Sequence, residues 1–333
     1  MSGDPRGIVL RDLPGAPGTL DGMVAALHAL GLRRCHLPGP QWVDADLDGA
    51  ALDTARAALG AADVTVAVGL GAVNTTRPER AGDALRLGHG DLEAGLHRMV
   101  RAAARLGAES AHFTVGTEED RFSTAPPWAD QLAATAPLVR RLAERCADHG
   151  LPMVLKTHEE MTTFELARFR EQVGHGGLLV GYSPVNVLCR LEDPVAAAAR
   201  VADWTHTVFL DDADTAWTSR GLERRMRPLG EGRVDWPAVL AALASGRAPA
   251  PPRLVLDLHR AALDMPFTDP GWIDRHPDLT PAEFAAVAAT ATGAPPAPAA
   301  DLAHRRTAGL ARLAALPGLP QTQQPPRGAP AGR

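Results

Sequence analysis

The chain has 333 residues with a formal net charge of -5 at pH 7, and 45% of the residues are hydrophobic. This length fits one barrel or two ordinary domains, and the slightly acidic balance lacks the basic surface expected for binding a nucleic acid or an anionic membrane. The three cysteines lie far apart, the first ten residues do not form a signal peptide, and no apolar run is long enough to span a bilayer, so we expect a cytoplasmic protein without disulfides.

Strand-like apolar runs alternate with helical patterns almost to residue 290. The predicted strands are residues 7–13, 34–37, 64–70, 110–115, 153–157, 178–182, 207–210 and 253–258. The predicted helices between them are residues 19–32, 46–59, 91–106, 128–149, 163–173, 194–204 and 237–244. Eight strands with intervening helices over about 260 residues match a closed parallel barrel, so the sequence predicts an α/β fold, a (β/α)8 TIM barrel. No Gly-x-Gly-x-x-Gly turn follows the first strand, which disfavours a doubly wound dinucleotide-binding sheet.

The composition changes after the last predicted strand. The segment 278–281 has the pattern of a helix start, and beyond residue 293 the chain becomes rich in Ala, Pro and Gln. We therefore predict one barrel domain at residues 1–292. The rest is predicted as a C-terminal extension at 293–333, with a short helix at about 300–316 and a disordered tail at 317–333.

Polar residues gather at the ends of the predicted strands, where the active sites of such barrels lie. Lys156 and Asp257 each follow apolar strand residues, and an unpaired charge would be costly to bury there. We therefore predict that these two side chains face the same pocket and partly neutralise each other. The residues predicted to contact a substrate are His36, His112, Glu159, Tyr182, Ser183, Asn186, Asp211, Glu231 and His259.

These candidates also have structural interpretations. Hydrogen bonding in the barrel wall, packing, helix capping or a place in a solvated loop is the alternative for His36, His112, Glu159, Tyr182, Asp211 and Glu231. For Glu231 the alternative is a carboxylate that ties the backbone amides of its loop together. Arg121 lies in a polar loop that is long enough to cover the pocket, and we expect it to meet an anionic group of the substrate.

Five local motifs, in this order, resemble those of the sugar phosphate isomerase/epimerase family, the xylose-isomerase-like barrels. They are LKTHEEMT from residue 155, VGYSPVN from 180, TVFLDDA from 207, PLGEGRVDW from 228 and LVLDLHR from 254. PLGEG is the most specific of the five, and the others carry weight as an ordered set. The resemblance covers about residues 5–290 and implies the same barrel.

Members of this family typically bind a divalent metal through Glu, Asp, His and Glu from strands five to eight. The metal stabilises the enediolate formed by proton abstraction. By position these ligands correspond to Lys156, Ser183, Phe209 and Asp257. Only one carboxylate remains, so we predict no metal cofactor. The alternative is a relocated Mn, Mg, Zn or Co site formed by His158, Glu159, Asp211 and Asp257.

The resemblance implies an isomerase or epimerase that moves a proton next to a carbonyl in a sugar-like small molecule. Lys156 would replace the metal as electrophile, form a Schiff base or act as a base, and His158 and Asp257 are the candidates for proton transfer. A lyase or dehydratase on the same scaffold is one alternative. A non-catalytic barrel that binds a ligand or a partner subunit is the other. The expected partner is a small polar substrate, and a homo-oligomer is compatible with the sequence.

Overall fold

The computed structural model describes residues 4–174, 176–293 and 301–316. The strands are β1 (Arg6–Val9), β2 (Arg34–Leu37), β3 (Thr65–Ala72), β4 (Ala111–Thr114), β5 (Met153–Lys156), β6 (Leu178–Tyr182), β7 (Thr205–Leu210), β8 (Asp212–Thr218), β9 (Gly221–Arg227), β10 (Arg253–Leu256) and β11 (Leu263–Met265). Eight of them pair in parallel in the order β1-β10-β7-β6-β5-β4-β3-β2, and β1 also pairs with β2. The predicted (β/α)8 barrel is therefore confirmed.

Helices surround the barrel. They are α1 (Leu20–Ala29), α2 (Gly49–Ala61), α3 (Gly82–Leu87), α4 (Leu92–Leu106), α5 (Glu118–Arg121), α6 (Trp128–Asp148), α7 (Thr163–Val173), α8 (Pro184–Leu188), α9 (Pro194–Val201), α10 (Trp236–Ala244), α11 (Pro270–Ile273), α12 (Pro281–Thr290) and α13 (Leu302–Ala315). Many begin at a Thr or Asp whose side-chain oxygen accepts a backbone N–H, including Thr19, Asp48, Asp91, Thr162, Asp193, Asp235, Thr280 and Asp301. Within the described ranges, none of the helices combines the length and the apolarity that crossing a membrane requires.

Alternate strand residues point into the barrel, and the others pack under the helices. The inward-facing residues include His36, His112, Lys156 and Phe209, which contact one another. Gly181 of β6 shows how tight this interior is. A Cβ atom at Gly181 would lie 2.8 Å from the ring of Phe209, which projects inward from β7. Because Gly181 has no side chain, the Phe209 ring can pack against its backbone inside the barrel.

A second, three-stranded antiparallel sheet follows β7, in the order β11-β9-β8. These strands were not predicted from the sequence. The β9 strand alternates buried Leu222, Arg224 and Met226 with partly exposed residues, and the arginine hides an otherwise regular strand pattern. The Arg224 guanidinium is buried because it donates to the Val185 carbonyl and to Asn186 Oδ1.

Helix α13 packs directly against β10. A Cβ atom at Gly309 would lie 2.8 Å from the Leu256 side chain, so the glycine permits this close approach. The predicted short helix is thus present, although the boundary placed at residue 292 remains a prediction. The predicted disordered tail, 317–333, lies outside the described residues.

Candidate functional site

Lys156 and Asp257 form the centre of the site. Lys156 ends β5, Asp257 follows β10, and Lys156 Nζ donates to Asp257 Oδ2, which confirms that the two side chains face each other. Arg11, in the turn after β1, donates to the other carboxylate oxygen at 2.6 Å. Lys156 Nζ also lies 4.3 Å from the centroid of the Phe209 ring, in a cation–π contact. Two cations therefore share one buried carboxylate.

This pairing determines the charge of Asp257. Burial raises the pKa of Asp257, but the charges of Lys156 and Arg11 outweigh burial and hold the pKa well below its usual range. A carboxylate with such a low pKa is a poor proton acceptor. The prediction that Asp257 transfers the proton therefore does not fit this geometry, in which Asp257 holds Lys156 in place.

The composition also singles out Lys156. It is the only lysine in the chain, which otherwise carries 33 arginines. Arginine thus serves every other cationic position, whereas the one ammonium lies in the barrel interior with 14% of its side chain exposed. An ammonium is a compact charge with three donors, which suits it to a single substrate oxygen better than the planar fork of a guanidinium.

Two histidines lie beside Phe209 in the barrel. The rings of His36 and His112 are 4.6 Å apart between centroids, and both meet the Phe209 ring edge-on. Burial lowers the pKa of His36 to about 4 and that of His112 well below its usual value, so both rings are neutral near pH 7. His112 Nε2 bonds Ser110 Oγ at 2.9 Å, while His36 Nε2 and His112 Nδ1 are buried without a protein partner. These free nitrogens could receive the hydroxyl groups of a ligand.

Ser183 is the residue that the family resemblance equates with the metal ligand of the sixth barrel strand. Its backbone N–H donates to Thr157 Oγ1 at 2.7 Å, and its own hydroxyl is buried without a protein partner. Like the histidine nitrogens, the hydroxyl is a polar group available to a ligand.

His158 and two glutamates form an acidic group next to Lys156. His158 Nδ1 lies 2.6 Å from Glu160 Oε2, and Nε2 lies 3.5 Å from Glu159 Oε2. Burial lowers the pKa of His158, but the charges of Glu160 and Glu159 outweigh burial and raise it. Arg224 approaches Glu159 at 3.4 Å, and 27% of the His158 side chain remains exposed. His158 is therefore an accessible imidazole with its charged form favoured.

Asp211 and His259 lie together at the ends of β7 and β10. Asp211 accepts the backbone N–H of His259 at 2.7 Å, and His259 Nδ1 lies 3.1 Å from the same oxygen. Arg305 of α13 donates to both carboxylate oxygens of Asp211, at 2.7 and 2.8 Å. Arg305 was not predicted from the sequence, because it is 94 residues away from Asp211 and lies in no local motif.

Two predicted substrate contacts have structural roles instead. The Tyr182 side chain is fully buried, and its hydroxyl donates to the Pro194 carbonyl at the start of α9, so it packs in the barrel wall. Both ends of the Asn186 amide are occupied, because Nδ2 donates to the Thr157 carbonyl and Oδ1 accepts from Arg224. Neither side chain is free to meet a ligand.

Two loop residues also differ from expectation. Glu231 is exposed, and the carboxylate that accepts loop amides is Asp212, which bonds the N–H groups of Gly230 and Val234. Burial raises the pKa of Asp212 to about 6 against these hydrogen bonds. Arg121 is fully buried and donates to Glu165 and to backbone carbonyls, so it anchors its loop and does not meet a substrate.

The residues present do not fit a divalent metal. At the positions that the resemblance equates with the metal ligands, Lys156 and Phe209 have no atom that would bind a metal ion, and Ser183 has only a neutral hydroxyl. The alternative set is engaged with protein partners: Glu160 and Glu159 with His158, Arg224 with Glu159, Arg305 with Asp211, and Lys156 and Arg11 with Asp257. In the part of the chain that the structure describes, no three His, Cys, Asp or Glu side chains are arranged to hold a metal ion.

A cavity of about 460 Å³ lies away from this site, between α6, α7 and the segment 274–277. Its walls include Trp128, Phe169 and Arg168, and they include none of the predicted site residues. The polar cluster at the barrel mouth is thus separate from this cavity.

Solved structures with the same barrel include an L-ribulose 3-epimerase, which is 14% identical with 93% of each chain covered and a TM-score of 0.59. A xylose isomerase domain protein from Planctomyces limnophilus is 18% identical, with 76% of this chain and 91% of that protein covered and a TM-score of 0.56. A probable 3-DHS dehydratase from Bacillus anthracis is 12% identical, with coverages of 76% and 92% and a TM-score of 0.54. At such identities the likeness shows a shared fold. No curated protein sequence matches the chain.

The family assignment rests on a match that spans most of the barrel. Residues 24–251 match the xylose isomerase-like TIM barrel family, in agreement with the motifs between residues 155 and 260. The chain therefore belongs to the xylose isomerase-like TIM barrel family.

Proposed function

We propose that this protein is an isomerase or epimerase that transfers a proton at a carbon next to a carbonyl, in a sugar-like or polyhydroxylated small molecule. In this proposal the Lys156 ammonium stabilises the negative charge of the enediolate, the role that the family resemblance gives to a divalent metal. One observation carries it: the only lysine of the chain faces the barrel interior, held by Asp257 and Phe209. The family resemblance equates this position with that of a metal ligand. The family and its structural neighbours, an epimerase among them, support the reaction class.

The ammonium would act on the substrate oxygen. Removing the proton next to a carbonyl moves negative charge onto that oxygen, and a fixed cation stabilises the charge where it develops. Asp257 neutralises Lys156 only in part, because Arg11 shares the same carboxylate. Positive charge therefore remains at the mouth of the barrel.

His158 is the proposed proton donor. The neighbouring glutamates favour its imidazolium form, and its side chain is partly exposed, so a substrate at the mouth can reach it. An acid next to the cation would complete proton transfer to the enediolate.

Arg11 takes the role that the sequence analysis gave to Arg121. About half of its side chain is exposed, with one guanidinium nitrogen on Asp257. The remaining N–H groups can donate to a hydroxyl or an anionic group of the substrate.

Hydrogen–deuterium exchange tests this proposal without knowledge of the product. We would incubate the protein with a panel of ketoses, aldoses and hydroxy-keto acids in D2O and follow the signal of the carbon-bound hydrogen next to the carbonyl by 1H NMR. The proposal predicts exchange that falls by about 10²–10³-fold in Lys156→Ala and survives a chelator. Loss of exchange with the chelator, or its persistence in Lys156→Ala, would refute the role of the lysine. Arg6→Ala, far from the mouth, is the control.

Because the chain has one lysine, reductive trapping separates two uses of it. Borohydride added with a carbonyl substrate would leave a permanent adduct on Lys156 if a Schiff base forms. The proposal predicts no adduct at this position by mass spectrometry. A trapped adduct would show that Lys156 acts as a covalent nucleophile and not as an electrostatic electrophile.

A lyase is the second candidate, because dehydration can begin with the same proton removal, and one structural neighbour is a probable dehydratase. The same NMR spectra discriminate the two, since elimination yields an olefinic or keto product that lacks a hydroxyl. Ligand-induced thermal stabilisation without exchange or product would favour the non-catalytic barrel.

A further inference from the structure

Helix α13 brings a buried arginine to the mouth of the barrel. Gly309 lets the helix approach Leu256 of β10, and Arg305 lies about one turn earlier on the same helix. Only 3% of the Arg305 side chain is exposed. The helix that the sequence analysis placed outside the barrel therefore contributes a side chain to the site.

Arg305 binds Asp211 and the backbone beside it. One guanidinium nitrogen donates to both oxygens of Asp211, and the other donates to the His259 carbonyl at 2.7 Å. A buried carboxylate requires a counter-ion, and a guanidinium does not lose its proton in proteins. Asp211 is therefore held as a carboxylate that can only accept hydrogen bonds.

The held carboxylate fixes the tautomer of His259. The oxygen of Asp211 that accepts the His259 backbone N–H also lies 3.1 Å from the ring nitrogen Nδ1. Since this oxygen only accepts, Nδ1 carries the ring proton and Nε2 keeps its lone pair. His259 Nε2 is buried and has no protein partner, so it is free to accept from a ligand.

His259 lies next to the groups that the proposed reaction uses. It follows Asp257 by two residues, and Asp257 binds the Lys156 ammonium. The ring therefore presents an unprotonated nitrogen in the same site as a fixed ammonium, and proton removal next to a carbonyl uses such a pair.

We infer that His259 Nε2 is the proton acceptor of this site, and that Asp211 and Arg305 are positioning residues that fix its tautomer. In the reaction, the proton leaves carbon for Nε2, the C–H electron pair forms the C=C bond of the enediolate, and the carbonyl π pair moves to the oxygen beside Lys156. His259 becomes an imidazolium, His158 delivers its proton to the enediolate carbon, and the two imidazoles then return to their starting states by losing and gaining one proton to and from water. The inference rests on the proposed function for the identity of the reaction, but the tautomer can be measured without any substrate.

The test uses the full chain labelled with 13C and 15N in histidine. The His259 signal, one of 12, is identified by its loss in His259→Gln, and the ring 15N shifts distinguish the two tautomers. We expect the Nδ1–H form in the wild type and in Arg305→Lys, and a mixture of both forms in Arg305→Met. Arg312→Met, an exposed residue of the same helix, should leave the signal unchanged. An Nε2–H ring in the wild type, or an unchanged ring in Arg305→Met, would overturn the inference.

Exchange measurements test the catalytic role separately. His259→Gln should lose exchange, and Arg305→Met should lower kcat more than it raises KM, with partial recovery in Arg305→Lys. Exchange at the wild-type rate in His259→Gln would overturn the role of His259. Loss of exchange in His259→Gln but not in Lys156→Ala would instead refute the proposed electrophile and leave the His259 inference standing.

Discussion

Asp257 binds two cations that differ in accessibility. Lys156 lies almost wholly inside the barrel, whereas about half of the Arg11 side chain is exposed and can be hydrated when unpaired. Removing the carboxylate would leave a buried ammonium without a counter-ion. Removing the lysine would leave the carboxylate still bound by Arg11. The two halves of the pair should therefore differ in their effect on stability.

We predict that Asp257→Leu lowers the free energy of unfolding by about 3–5 kcal/mol, the usual result of leaving a buried charge unpaired. Lys156→Met should cost clearly less, and the double variant should be more stable than Asp257→Leu alone. Urea-unfolding midpoints of the three variants and the wild type measure this difference. Equal losses in both single variants would contradict the shared-carboxylate geometry.

The pairing of Lys156 with Asp257 was predictable because neither charge could be buried alone after an apolar strand. The same physical rule could not identify Arg305, because nothing in the sequence indicates which surface of the barrel α13 covers. The predicted substrate contacts of Tyr182 and Asn186 do not fit the structure, for the opposite reason. Tyr182 ends β6 and Asn186 lies in α8 just beyond it, but their polar atoms bond the Pro194 and Thr157 carbonyls and Arg224, which only the folded chain brings near.

Among the elements, α3 and α4 approach each other closely at Gly95. A Cβ atom at Gly95 would lie 1.7 Å from the Ala84 carbonyl oxygen, which cannot move without displacing α3. Gly60, near the end of α2, has no atom within 4 Å of the equivalent position. The two helical glycines therefore form a matched pair.

Gly95→Ala should lower stability by more than about 2 kcal/mol through overpacking. Gly60→Ala should raise stability by about 0.5–1 kcal/mol, since alanine reduces the freedom of the unfolded chain. Thermal unfolding midpoints followed by circular dichroism test both signs. Similar midpoints for the two variants would mean that α3 and α4 are not this close.

At the level of elements, the eight barrel strands and most helices were predictable from alternating patterns. The β8–β9 hairpin was not, because Arg224 interrupts its apolar face and an acidic stretch precedes it. The arginine is buried only because the α8 segment supplies acceptors from Val185 and Asn186. A residue pattern cannot reveal such a partner when it comes from another part of the chain.

Across the whole molecule, buried histidines dominate the expected response to acid. Burial lowers the pKa values of His36 and His206 to about 4 and that of His276 to about 2. Their stabilising effect is present above pH 6.5 and is lost as the pH falls, because the unfolded chain binds protons first. Burial acts oppositely on Glu192, whose pKa rises to about 7, so its effect is lost as the pH rises toward 7. The histidines outnumber such carboxylates, so stability should fall between pH 7 and pH 5.

A variant at His276 tests the contribution of one buried histidine to this loss of stability in acid. Its Nδ1 donates to the Trp272 carbonyl and its Nε2 accepts from Arg190 at 3.0 Å, so protonation would face a guanidinium. In His276→Gln the amide oxygen can accept from Arg190, and no proton is taken up on unfolding. We predict a smaller drop in thermal midpoint between pH 7 and pH 5 for this variant than for the wild type. An equal or larger drop would contradict the assignment.

In our proposal, Lys156 takes the place of the metal ion that the family resemblance implies. Because Lys156 is the only lysine, protein labelled with 13C-lysine gives one Cε signal that reports on this position alone. The account predicts that the signal keeps its width when one equivalent of paramagnetic Mn²⁺ is added. Disappearance of the signal at that ratio would place a metal ion beside Lys156 and contradict the account.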